Sequence, residues 1–221
     1  MGYVSAVKAG RANCDRDRRH RFVAIGHLGR KVHAREVNVE KERHRAVAFQ
    51  LGVMQGRLSP KYRGRYQAHP VGYWEAEFDR ASELGLELIE FILDFEDAEK
   101  NPLLTDDGLE RIAATTRRTG VQVRSVCADY FMEAPLHVAD DRAGTSAAML
   151  RRLLDCVSRL GVEHVVIPCV DQSTLVDAAA VDRFVAALTP LLPLARDRNV
   201  RLSLETDLPP EPFRRLLDRF D

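Results

Sequence analysis

Residues 72–92, GYWEAEFDRASELGLELIEFI, contain one full repeat of the pattern that decides the fold. The first part carries apolar residues at the spacing of one helix face, at Trp74, Phe78, Ala81 and Leu84. Gly85 follows, which is typical of a helix end. An apolar run of strand length, residues 86–92, comes directly after it. The stretch therefore predicts a helix that leads into a buried strand.

The same alternation extends along the chain in both directions. Strand-like apolar runs occupy residues 47–54, 86–92, 121–128, 162–170 and 200–205. Helical patterns occupy residues 72–85, 105–120, 145–161, 178–199 and 210–220, and the prolines of the fourth are expected to bend it. Alternating strands and helices indicate a parallel sheet with helical crossovers. Because no Gly-x-Gly-x-x-Gly follows any strand, we favour a (β/α)8 TIM barrel over a dinucleotide-binding open sheet.

Only about five strand–helix units are visible, whereas a complete barrel has eight. The fold class predicted is therefore α/β, an incomplete (β/α)8 TIM-barrel type. The chain is expected to be the front part of a barrel whose remaining units lie beyond residue 221.

The charges divide the chain into two parts. The 221 residues have a net charge of zero and are 45% hydrophobic, enough for a sizeable core. Residues 1–47 hold 12 Lys and Arg against 5 Asp and Glu, a net of +7, whereas residues 48–221 hold 21 against 28, a net of −7. We expect residues 1–47 to be a disordered basic extension, with a basic arm for an anionic partner as the alternative. Residues 48–221 are expected to form the partial barrel.

The composition also limits location and partners. The cysteines at positions 14, 127, 156 and 169 form no CxxC pair, which indicates a reducing compartment and a cytoplasmic location. No apolar run approaches the length of a membrane span, and no secretory signal is present. With zero net charge, we expect neither nucleic acid nor membrane as a partner.

Polar side chains stand at the predicted carboxyl ends of the strands, where parallel α/β folds carry their chemistry. The candidates are Gln55, Arg57, Glu90, Asp129, His137 and Glu205. Each could also be a solvated loop residue, a cap or part of a surface ion pair. Glu205 is the strongest candidate, because a carboxylate that ends a buried strand costs free energy unless it is paired or binds a metal.

The order of these strand-end motifs resembles a known family. The stretches are GVMQGRLSP (52–60), WEAEFDRASELGLELIEFI (74–92), VRSVCADYFMEAPL (123–136), LGVEHVVIPCVDQSTL (160–175) and VRLSLETDL (200–208). Together they resemble the sugar phosphate isomerases and epimerases of the xylose isomerase-like TIM-barrel superfamily. The resemblance covers about residues 48–221.

The resemblance implies an isomerase or epimerase that acts on a sugar or sugar phosphate by proton transfer through an enediolate. It implies one divalent metal ion (Mn, Mg, Zn or Co) held by Glu205, which is also the catalytic residue. The other ligands, an Asp, a His and a second Glu, are expected beyond residue 221. Arg57, Glu90 and Asp129 would line the sugar site, with Gln55 and His137 as further candidates for substrate binding. An incomplete barrel of this kind is expected to have little or no activity.

Two other functions remain open from the sequence. A partial barrel could be a binding or assembly module without catalysis, because its two unpaired sheet edges invite pairing with another chain, which leaves a homo-oligomer open. An apurinic endonuclease-like hydrolase is less favoured, because strands two and three provide Glu90 and Asp129 where that enzyme needs histidine ligands. The net negative charge of residues 48–221 also suits a phosphate backbone poorly.

Overall fold

The computed structural model describes residues 49–220, in which strands and helices alternate. The predicted extension, residues 1–47, lies outside the described residues. The strands are Gly52–Met54 (β1), Leu88–Ile92 (β2), Gln122–Cys127 (β3), His164–Cys169 (β4) and Arg201–Thr206 (β5). The α-helices are Glu75–Glu83 (α1), Asp106–Thr119 (α2), Tyr130–Glu133 (α3), Arg142–Val157 (α4), Ala178–Leu188 (α5), Leu192–Asp197 (α6) and Pro210–Leu217 (α7).

The five strands form one sheet in the order β1-β2-β3-β4-β5, and every neighbouring pair is parallel. Sequential parallel strands with a helical crossover after each one are the arrangement of a (β/α)8 barrel. The predicted fold class is confirmed, with five of the eight units in residues 49–220.

Local signals in the sequence explain where the helices begin and end. The Thr105 hydroxyl accepts a hydrogen bond from the backbone N–H of Gly108 at 3.1 Å and so caps α2. Gly120 ends α2 with φ of 79°, a left-handed conformation that glycine adopts at little cost. Asp177 caps α5 in the same way, by accepting from the N–H of Ala180 at 2.7 Å.

Several boundaries differ from the predicted ones. Residues 49–51 are not part of β1, which begins only at Gly52. The α4 helix begins at Arg142, three residues before the predicted start. The short helix α3 was not predicted, because its four residues are too few to show a helical period.

The predicted helix over residues 178–199 is divided into α5 and α6. A 3₁₀ turn, Thr189–Leu191, separates them where Pro190 lacks the N–H that a continuous α-helix would need. The stretch Ala178–Asp197 is long enough to span a membrane, and an 18-residue window within it is apolar enough (mean hydropathy 1.4), contrary to the prediction that no run reaches that length. Phe184 and Leu188 are buried in the core, which is how a barrel helix packs on its sheet.

The two faces of the sheet differ in composition because side chains alternate along each strand. One face carries residues such as Phe91, Val165 and Leu204, which join the core under the helices. The opposite face is termed the inner face. It carries Glu90, Ser125, Cys127, Val166, Ser203 and Glu205, which alternate with the core residues.

Candidate functional site

Three of the predicted site residues meet on the inner face. Glu90 lies in β2 opposite Ser125 of β3, and Glu205 lies near the end of β5 opposite Pro168 of β4. Asp129 is the second residue after β3. Burial raises the pKa of Glu205, and the negative charges of Asp129, Glu90 and Asp171 raise it further. Three carboxylates, from β2 and from the segments that follow β3 and β4, therefore act on Glu205. None of these observations tests the predicted roles of these residues.

Cys127 lies among these carboxylates. It is 1% exposed, and its thiol donates a hydrogen bond to Oδ1 of Asp129 over 3.0 Å. Burial raises the pKa of the thiol above its ordinary value, and the charges of Asp129, Glu90 and Glu205 act in the same direction. Cys127 therefore stays protonated and acts as a donor, not as a thiolate nucleophile or metal ligand.

Asp129 connects the inner face to the loop that follows β1. Burial raises the pKa of Asp129, while hydrogen bonds from Cys127 and Gln67 oppose this rise. Gln67 Nε2 lies 3.4 Å from Asp129 Oδ2, and Arg57 donates to Oε1 of the same Gln67 at 3.1 Å. Arg57 is exposed and reaches the carboxylates through Gln67, without a direct ion pair to Asp129.

Gln55 is turned into the protein. Its side chain is 1% exposed, and its Oε1 accepts hydrogen bonds from the backbone N–H of Ile92 and from His69 Nδ1, both at 3.1 Å. The side-chain oxygen thus accepts from a backbone N–H of β2 just beyond the end of β1, where a backbone carbonyl of β1 would otherwise be the acceptor. Gln55 Nε2 and His69 Nε2 are buried without a hydrogen-bond partner among the described residues.

His69 and Asp94 were missed by sequence reasoning. The backbone N–H of His69 donates to Asp94 Oδ2 at 2.7 Å, and Arg65 donates to Asp94 Oδ1 at 2.9 Å. Burial lowers the pKa of His69 to about 3, so the ring is neutral at physiological pH. The surrounding sequence, QAHP (67–70), has neither a helical nor a strand period, so it gives no sign that the histidine ring is buried.

Glu77 was also missed, and it anchors the loop between β1 and α1 (residues 55–74, the β1–α1 loop). Its two carboxylate oxygens each lie 2.9 Å from the backbone N–H of Gly56, and Oε1 accepts from the N–H of Leu58 at 3.1 Å. Gly56 has φ of 84°, and a Cβ there would lie 2.0 Å from the carbonyl oxygen of Tyr66. The loop therefore requires both a glycine and a buried acceptor beneath it.

The predicted candidate His137 lies near α5. Its backbone carbonyl accepts a hydrogen bond from Arg183 Nε at 2.7 Å. Burial lowers the pKa of His137, the charge of Arg183 lowers it further, and Asp177 opposes them. The ionised groups that act on His137 are thus those of α5 and its cap, and the structure does not join it to the inner-face carboxylates.

The described residues do not complete a metal site. No group of three His, Cys, Asp or Glu side chains within residues 49–220 is placed to hold an ion. A catalytic metal usually has about three protein ligands. Glu205 remains the candidate ligand, but the residues around it do not by themselves fit a divalent metal.

Comparison with known proteins agrees with the fold. A family model described as xylose isomerase-like TIM barrel matches residues 78–219, more than half of the chain. No match was found among curated protein sequences.

Three solved structures illustrate the structural likeness. The 3-keto-D-glucoside 4-epimerase from E. coli has 15% identity and a TM-score of 0.58 over 79% of this chain and 65% of its own. A xylose isomerase-like TIM barrel protein from Mycobacterium smegmatis, in complex with magnesium, has 17% identity and a TM-score of 0.57 over 78% of this chain and 61% of its own. The D-allulose 3-epimerase from Methylomonas sp., in complex with D-allulose, has 16% identity and a TM-score of 0.56 over 77% of this chain and 58% of its own.

At these identities the likeness shows the fold alone. The chain spans 58–65% of the lengths of these three proteins.

Proposed function

Because the chain belongs to the xylose isomerase-like TIM barrel family, we propose that it is part of a sugar isomerase or epimerase. The observation that carries this proposal is the meeting of Glu90, Asp129 and Glu205 on the inner face, toward the carboxyl ends of their strands. Barrel enzymes of many kinds assemble their sites at that end. The sugar epimerases among the similar structures support the substrate class.

The reaction proposed is proton transfer next to a ketose carbonyl. Glu205 takes the proton from the carbon next to the carbonyl, the electron pair of the C–H bond becomes the C=C bond of an enediolate, and the C=O π pair moves onto the carbonyl oxygen. A carboxylic acid then returns a proton to a carbon, and the oxygen's electron pair re-forms the carbonyl. Burial and neighbouring negative charge raise the pKa of Glu205, which makes its carboxylate a stronger base at neutral pH. In this proposal Glu90 and Asp129 accept hydrogen bonds from sugar hydroxyls. Gln67 lies next to Asp129, and Arg57 is hydrogen-bonded to Gln67.

A divalent metal belongs to the proposal only as an expectation. One similar structure contains magnesium, but residues 49–220 offer Glu205 without the partners that would complete a site. We propose that Glu205 supplies one ligand and that the other ligands lie outside residues 49–220. The steps above are assigned to this chain's own side chains.

The test is a ketose proton-exchange assay in deuterated water with added Mn²⁺. We expect the 221-residue chain to show no exchange, and a version extended by three further strand–helix units from a homologous barrel to gain exchange and metal binding together. Glu205→Gln in the extended version should abolish both. Glu110→Gln, at an exposed position of α2, is the matched control and should change neither.

Two results would contradict the proposal. An extended barrel that folds but never exchanges the proton would refute the reaction. Full exchange by Glu205→Gln would refute the assigned base. Clear exchange by the 221-residue chain alone would show that its site is complete, or completed by a second copy.

A binding or assembly module without catalysis is the second candidate. It is favoured by the edges of the sheet, because neither β1 nor β5 has a second strand neighbour within residues 49–220. Such edges offer unpaired backbone groups to another chain. Sedimentation of the 221-residue chain distinguishes the two: assembly at micromolar concentration with no gain of exchange on extension would favour the module. A cytoplasmic location also stays a proposal, consistent with the free thiols of Cys127, Cys156 and Cys169.

A further inference from the structure

A cleft of about 600 Å³ lies between the β1–α1 loop and the carboxyl ends of β2, β3 and β4. Its volume falls within the range of about 300–1,000 Å³ that is usual for small-molecule sites. Its walls include Arg63, Arg65, Phe95, Asp129, Glu133 and Gln172. Asp129 also acts on Glu205 of the candidate reaction site, so the cleft borders that site.

Phe95 gives this polar cleft an apolar platform. Its ring is 47% exposed although it follows β2 by only three residues, and it packs against the buried ring of Tyr130 at a centroid distance of 5.1 Å. The contact with Tyr130 restricts the ring on one side before any ligand binds, which lowers the side-chain entropy lost on binding. An exposed aromatic ring beside hydrogen-bonding groups suits a ligand with one apolar face and several hydroxyls.

Polar acceptors surround the platform. Gln172 Nε2 donates to Glu133 Oε1 at 2.9 Å, and no described residue donates a hydrogen bond to Gln172 Oε1 or Glu133 Oε2. Asp129 accepts from Cys127 and Gln67 and still has free lone pairs, because an ionised carboxylate has about four acceptor positions. The cleft is therefore rich in acceptors for hydroxyl donors.

The charges of the cleft disfavour an anion. Arg63 is paired with Glu96 and with Asp97, each at 2.8 Å, and Arg65 is paired with Asp94. The lining contains two arginines and four carboxylates, a formal net of −2. Because both guanidinium groups already hold carboxylates, a phosphate would have to compete with those carboxylates inside a cleft of net negative charge.

We propose that this cleft binds a neutral sugar ring, with Phe95 stacked against the C–H face of the ring. Asp129, Glu133 and Gln172 accept hydrogen bonds from its hydroxyls. The proposal takes the substrate class from the proposed function and adds a specificity residue, Phe95, together with selection for the unphosphorylated sugar.

The experiment is a titration of the ¹⁵N-labelled 221-residue chain with D-fructose, methyl β-D-glucopyranoside and D-fructose 6-phosphate. Amide shifts of residues 129–133 report binding, and no catalysis is needed. We expect the two neutral sugars to bind, and Phe95→Ala and Phe95→Leu to bind about threefold to tenfold more weakly, as the loss of an aromatic contact predicts. Phe95→Tyr should bind like the natural chain.

Two controls separate binding from folding. Leu84→Ala removes an exposed apolar side chain at the other end of the sheet and should leave the affinity unchanged. Phe95→Leu keeps apolar volume against Tyr130, so weaker binding by a Leu variant with an unchanged thermal midpoint assigns the effect to the ring.

Three outcomes would overturn the proposal: no sugar shifts the amides, Phe95→Leu retains full affinity, or the sugar phosphate binds more tightly than D-fructose. The test is independent of the proton-exchange assay. If sugar binds but the extended barrel shows no proton exchange, the proposed reaction is refuted and sugar binding in the cleft stands. If the extended barrel exchanges the proton but Phe95→Leu binds sugar with unaltered affinity, the proposed role of the cleft is refuted and the reaction stands.

Discussion

Glu77→Ala provides the sharpest test of how the β1–α1 loop is held. Glu77 is 1% exposed, and its carboxylate accepts hydrogen bonds from the backbone N–H groups of Gly56 and Leu58. The variant removes this acceptor and leaves both backbone N–H groups beneath the loop without their hydrogen-bond partner. The loop that carries Arg57, Gln67 and the wall of the cleft would then lose its anchor.

The size of the effect follows from these contacts. A buried donor left without a partner costs about 1–3 kcal/mol, so two amides set a range of about 2–6 kcal/mol. Water entering the vacated space recovers part of this, and removing a carboxylate whose pKa is raised by burial relieves a desolvation cost. We expect Glu77→Ala to lower the free energy of unfolding by about 3 kcal/mol. Glu77→Gln, which retains one acceptor oxygen, should lower it by about half as much.

The assay is urea unfolding followed by the fluorescence of Trp74, the chain's single tryptophan, which is 2% exposed beside α1. Glu83→Ala, at an exposed position on the same helix, is the control and should change the free energy by less than about 0.5 kcal/mol. Hydrogen exchange at Gly56 and Leu58 should accelerate in Glu77→Ala only. A loss below about 1 kcal/mol with unchanged exchange would refute the anchoring role.

Two further predictions concern pH. His69 has a folded pKa of about 3 against an ordinary 6.5, so the unfolded chain binds the proton first and stability falls with pH below about 6.5. From pH 7 to pH 5, the free energy of unfolding measured with urea should fall by about 2 kcal/mol more in the natural chain than in His69→Gln. If it changes equally with pH in both chains, the ring is not buried in its neutral form. Glu205 has a raised pKa, so the stability that it contributes below its unfolded pKa is lost as pH rises through the folded value. Glu205→Gln should therefore unfold at higher urea than the natural chain at pH 7 and at the same urea at pH 3, and a lower midpoint at pH 7 would mean that the folded chain stabilises the ionised carboxylate.

The order of elements could be predicted because each depends on local patterns. The α2 helix shows this most clearly: Thr105 caps it and Gly120 ends it, and both signals act within a few residues. For residues 178–199 the sequence predicted one bent helix, whereas the structure has two helices separated by a 3₁₀ turn. Prolines predicted a bend, but whether a chain bends or breaks depends on how both halves pack on the sheet.

The supports of the candidate site could not be predicted, because they depend on contacts between distant residues. Glu77 reaches an amide 21 residues earlier in the chain, and its position inside an amphipathic helix looked like ordinary surface charge. Gln55 was expected to face a pocket, and the structure places its oxygen on Ile92 and His69. His137 was a candidate by residue type alone, and its place beside α5 depends on the path of the chain after α3.

The polarity of the inner face is the strongest physical argument that this sheet serves chemistry. Barrel interiors are usually filled by branched apolar side chains, which add packing energy without unsatisfied groups. Here several of these positions hold Glu90, Cys127, Ser203 and Glu205, beside the apolar Val166. Among the described residues, the backbone N–H of Gln55 donates to the Glu90 carbonyl, but no group donates a hydrogen bond to the side-chain carboxylate of Glu90 or Glu205. Like charges that raise the pKa of Glu205 reduce stability at neutral pH, and no cation within residues 49–220 pairs with that carboxylate. Such a cost is typical of positions that bind a ligand or transfer a proton, since packing would be served better by any aliphatic residue.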